Sequence, residues 1–100
     1  MVHVSRSLIA KWIETLGIPA TEDVVEDHWE ALMDRIGETR FDLQQAYTQR
    51  WERENPGQKI SDNNSEWMAM HERVHRQAME MAIDEMFLEP IRIKRMQEMD

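Results

Sequence analysis

Val25, Trp29, Leu32 and Ile36 follow one another at steps of four, three and four residues. On a helix with about 3.6 residues per turn, those steps return every side chain to one face. On a strand they would scatter over both faces. The phase is nearly kept through Leu43, Tyr47 and Trp51. A second run with the same period passes through Trp67, Met70, Val74, Ala78, Met81 and Ala82. The chain has three Gly and three Pro in 100 residues, so little interrupts these runs. A few long helices are expected, and no strand pattern is readable.

The interruptions place the boundaries. Ser5 or Ser7 caps a first helix through Leu8, Ile9, Trp12, Ile13 and Leu16, which stops at Gly17 before Pro19. Thr21 caps the second helix, with Glu22 and Asp23 complementing its dipole. Gly37 leaves two options open. Thr39 to Asp42 can form a capping box that restarts a helix, or one long helix tolerates the glycine. Asn55-Pro56-Gly57 is a turn, and residues 58–64 read as a polar connector. Asn63 or Ser65 caps a third helix running to about Leu88, which Pro90 ends or kinks. The tail from Ile91 is a short helix or a frayed end. The expected fold is all-α and a single domain over residues 1–100. It is a long helical hairpin, about 21–54 and 65–88, with a short helix at each end. Two amphipathic helices expose too much apolar surface alone, so a bundle completed by homodimerisation is expected.

Charge and composition narrow the function. The net charge of −8 opposes direct contact with nucleic acid or an anionic membrane. With no cysteine there is no disulfide and no thiolate chemistry. No apolar run is long enough for a signal peptide or a membrane span. A cytoplasmic protein is expected. No Gly-rich phosphate loop and no serine in a nucleophile context is present, so the chain is expected not to be an enzyme.

Three groups of residues are candidates for function. Glu22, Glu26, Glu30, Asp34, Glu38 and Asp42 recur every four residues. Like charges at that spacing destabilise a helix by about 0.2–0.5 kcal/mol per pair, and the row advances about 6 Å per step. It is either the solvated face, with Arg35, Arg40, Lys11 or Arg92 to neutralise it, or a surface for a basic partner. The second group is His71-Glu72-Arg73-Val74-His75, which matches H-E-x-x-H. Over these five residues it resembles the zincin metallopeptidases, which implies zinc on His71 and His75 with Glu72 activating water. Glu72-x-x-His75 also matches one half of a di-iron bundle motif. Candidate third zinc ligands downstream are Glu80, Asp84 and Glu85, of which Glu85 lies about 15 Å further along the helix, too far for the same ion. The chain has no second E-x-x-H, which a homodimer would have to supply, with Glu26, Glu30 or Asp34 as further ligands, and a His within an apolar stripe is ordinarily structural.

The third group is apolar. Met79, Ile83, Met86 and Phe87 lie beside or opposite the stripe of the third helix, which suggests a second buried surface and hence a partner. The expected function is therefore a small adaptor, subunit or regulator that binds another protein. One alternative is an inhibitor, of the kind phages or mobile elements encode, whose acidic helix occupies the basic groove of a nucleic-acid-binding protein. The other is a metal protein using the His71–His75 segment.

Overall fold

The computed structural model describes residues 4–99. It is all-helical, with no strand among the described residues. The elements are α1 (Arg6–Thr15), α2 (Glu22–Glu54), a short 3₁₀ turn (Ile60–Asp62), α3 (Asn64–Ile83), a π-helical turn (Asp84–Leu88) and α4 (Glu89–Glu98).

The caps account for the boundaries. The Ser5 hydroxyl accepts from the Leu8 backbone N–H at the start of α1, and Thr21 does the same for Val24 at the start of α2. Asn63 rather than Ser65 caps α3, its side-chain oxygen accepting from the Glu66 N–H. α1 stops in a Schellman arrangement: Ile18 N–H donates to Ile13 O and Gly17 N–H to Glu14 O, with Gly17 at φ 82°. α2 is one continuous 33-residue helix, so Gly37 is tolerated and the capping-box option at Thr39 is not used. At its end Pro56 and Gly57 (φ 81°) occupy the central positions of a turn closed by Gln58 N–H to Asn55 O, the residue pattern of a type II turn.

The chain forms two compact units, one comprising the chain up to Arg35 and from Ala82 onward, the other Ile36–Met81. In the first unit the buried residues are Ile9 and Ile13 of α1, Val25 and Leu32 of α2, and Ala82, Ile83, Phe87 and Ile91. Phe87 is fully buried and stacks on Trp12 with ring centroids 5.0 Å apart. The His28 ring is tilted to that of Phe87 with centroids 6.2 Å apart, and its Nδ1–H donates to Val24 O. Lys94 of α4 donates to the last-turn carbonyl of Thr15, which ties α4 to the end of α1. In the second unit Ile60, Met70 and Val74 form the core, with Leu43, Tyr47, Trp51 and Trp67 packed against it. Ile60 lies in the stretch expected to be a polar connector, yet it is buried and anchors that loop. Its N–H donates to the Glu52 carboxylate.

The largest departure from expectation is at Asp84–Leu88. Pro90 does not end the helical path. The π turn, marked by Glu89 N–H donating to Asp84 O five residues back, sits just before it, and α4 continues from Glu89. Pro90 falls in the first turn of α4, where its missing N–H costs least. One extra residue in a turn delays everything downstream by about 100°. That delay brings Phe87 and Ile91 to the inside, although a straight helix would point Phe87 away from the stripe.

Two stability changes follow from this packing. Phe87→Ala should cost about 3–5 kcal/mol, a large share of the stability of a chain this small, read as a lowered urea midpoint. At Gly37 an added Cβ meets nothing within 4 Å, so Gly37→Ala should stabilise α2 by about 0.5–1 kcal/mol in the same measurement. A loss on Gly37→Ala would mean that α2 bends or opens at this point.

Candidate functional site

Of the acidic row, Glu22, Glu30, Asp34, Glu38 and Asp42 are exposed on α2, and Glu26 is half-buried. Glu26 does not stand alone. Arg6 of α1 pairs with its carboxylate and also lies over the Trp29 ring, 4.5 Å from the centroid. The guanidinium is shared between an anion and an aromatic face, which fixes the start of α1 on the first turns of α2. Two other basic groups of this unit are engaged near the π turn. Arg35 forks onto Glu85, its Nη2 2.7 and 2.8 Å from the two carboxylate oxygens. Arg92 pairs with Asp84 at 3.0 Å, so it is not a counter-charge reaching the acidic row as expected. Hydrogen bonding to Asp84, with that carboxylate's charge adding to it, raises the Arg92 guanidinium above its ordinary value. Each of these pairs is largely exposed and contributes little stability alone.

His71 and His75 lie half-buried on α3, one turn apart, while Glu72 is exposed. The His71 ring meets Trp67 edge to face, with centroids 4.5 Å apart and planes at 75°. Among the described residues no group of three His, Asp or Glu side chains comes together to hold a metal. The catalytic zinc set and the di-iron set that the sequence suggests are therefore not assembled by the described part of one chain.

The apolar set needs correction. Ile83 and Phe87 are core residues at 5% and 0% exposure, so neither faces a partner. For Phe87 the π turn is the reason, because it rotates the residues that follow it, whereas Ile83 precedes the turn and is buried from the end of α3 itself. Met79 and Met86 are half-buried. The large apolar side chains that do face out are others: Phe41 (61% exposed), Met68 (60%) and Met81 in the second unit, and Ile93, Met96 and Met99, with Ile18 and Met33 at the margin, in the first. Phe41 borders a shallow depression with Gln44, Gln45, Thr48 and Gln49 of α2. The sequence signal for Phe41 was available: it falls out of phase with Ile36, Leu43 and Tyr47 on the same helix. Ile93, Met96 and Met99 are spaced by three and lie along one flank at the end of the chain.

No family model matches the chain, and no curated protein or solved structure matches it.

The Arg6 bridge can be measured directly. Arg6→Ala should destabilise by about 1 kcal/mol, combining an exposed ion pair with a cation–π contact. Raising the salt to about 1 M should remove the ion-pair share and leave the contact with Trp29. An Arg6→Ala variant as stable as the parent at low salt would show that the bridge does not hold α1.

Proposed function

We propose that the protein is a non-enzymatic binding module that docks another protein through the outward apolar side chains of its helices, with the acidic row of α2 steering the approach. The observation that carries this reading is Phe41. It stands 61% exposed in the middle of a helix, among glutamines, where a polar residue would serve the fold equally well. Burying such a side chain against a partner is worth about 1.5–3 kcal/mol, and aromatic residues dominate binding energy at interfaces. All buried residues of the described chain are hydrophobic, and no polar or charged side chain is buried. Recognition therefore has to be made from the surface. Exposed methionines extend the apolar contact, and their flexible thioethers adapt to a partner's shape.

A second reading rests on the continuity of α2. Because Gly37 does not break the helix, Glu22, Glu30, Asp34, Glu38 and Asp42 all lie on one uninterrupted element, over about 30 Å. A row of carboxylates along one helix suits the basic groove of a nucleic-acid-binding protein. On this reading the chain is an inhibitor that takes the place of a phosphate backbone.

The two readings separate in one experiment. Partners are captured from source-cell lysate by wild-type protein, by Phe41→Ala with Met68→Ala, and by Glu30→Lys with Asp34→Lys, each at low and high salt. The apolar docking reading expects a partner that survives high salt and is lost with the Phe41 and Met68 pair. The mimic reading expects a nucleic-acid-binding partner that is lost at high salt and with the charge reversals. A partner retained by both variants at both salts would sink both readings.

A further inference from the structure

We infer that His71 and His75 form a two-imidazole clamp for a divalent transition ion of the imidazole-preferring class, typified by Zn²⁺, on the flank of α3. This goes beyond the docking function and does not depend on it. It also differs from a peptidase centre, because it needs neither Glu72 nor a third ligand from the chain.

The first support is position. Both residues lie within the unbroken α3 helix, four apart, so their Cβ atoms are about 5–6 Å from each other on one flank. Imidazole nitrogens bind zinc at about 2.0–2.1 Å, and two side chains at that separation can converge on one ion. Glu72 is one residue on from His71, about 100° around the helix, and is exposed.

The second support is orientation. His71 is held edge-on against Trp67, and Trp67 packs on the Ile60–Met70–Val74 core. The ring is therefore restricted before any ion arrives, which lowers the entropy lost on binding. His75 continues the same flank one turn later.

The third support is that the ring nitrogens are unspent. His28 shows how a structural histidine of this protein behaves, with Nδ1 committed to the Val24 carbonyl four residues back. Among the described residues neither His71 nor His75 makes a hydrogen bond or ion pair. Among the described residues no side-chain nitrogen or oxygen is both buried and unpartnered, so the unpaired nitrogens of these half-buried rings reach the surface. Imidazoles that are restrained, adjacent and open to solvent are what a borderline divalent ion binds. Water fills the remaining coordination positions.

The test uses the full-length, untagged chain and Zn²⁺ in a non-chelating buffer. Calorimetric titration should give one zinc per chain through this site, weakened at least about tenfold by His71→Ala and by His75→Ala and unchanged by Glu72→Gln. Circular dichroism of each variant checks that α3 is retained. In the wild-type protein, where no mutation can disturb folding, the ring resonances of His71 and His75 should shift together in a zinc titration followed by NMR. Zinc binding that persists in the doubly substituted protein, ring signals that do not move, or dependence on Glu72 would each overturn the clamp.

Discussion

The first unit depends on a phase change in one helical path. From Asn64 to Ile83 the chain keeps an ordinary α-helical period, and its buried face is set by Met70, Val74, Ala78 and Ala82. Without an extra residue, that period would carry Phe87 outward. The π turn absorbs the mismatch and brings an aromatic ring into contact with both Trp12 and His28. A π turn has poorer hydrogen bonding than an α turn, and such turns are rare and local. Here its cost is offset by burying one of only two phenylalanines, and by freeing Pro90 from the position where it would have broken the ladder.

Surface charge then does two different jobs. Around the π turn, Asp84 and Glu85 are matched by Arg92 and Arg35, so the segment with irregular backbone is braced on the outside by ion pairs. Along the first turns of α2, by contrast, Arg6 meets Glu26 but Glu22 and Glu30 stay in solvent. A helix that keeps acidic neighbours four residues apart accepts a small repulsion in each step. That repulsion is the physical reason for reading the acidic row as a surface with a use, beside the simpler one of keeping an amphipathic chain soluble.

Much of the fold was legible in the sequence because caps and turns are local. Thr21, Asn63, Gly17 and the Asn55-Pro56-Gly57 turn all act through atoms a few residues away, and each falls where its chemistry requires. The all-helical class followed from period alone. Two features were not legible. Ile60 looked like an isolated apolar residue in a polar stretch, and only the packing of Trp51, Trp67 and Met70 around the loop explains its burial. Phe87 was assigned to a partner surface because periodicity assumes a constant number of residues per turn, and a single inserted residue violates that assumption without any sequence mark. For the site, the acidic row and the His71–His75 spacing were both visible, since spacing on a helix fixes adjacency. The state of the imidazoles was not. Whether a histidine nitrogen is spent depends on which carbonyl or carboxylate lies near, as the contrast between His28 and His71 shows.

The four tryptophans are divided evenly, and their surroundings differ. Trp12 and Trp29 belong to the first unit, one stacked on a phenyl ring and the other beneath a guanidinium. Trp51 and Trp67 belong to the second, both against an aliphatic core, and Trp67 also touches an imidazole. Indole emission responds to the polarity and the quenching groups around each ring. The natural fluorescence of the chain is therefore a composite of four distinct environments, two from each half. Protein retaining one indole at a time would resolve that composite. It would show whether the halves lose their packing in a single event or one after the other, with no dye attached.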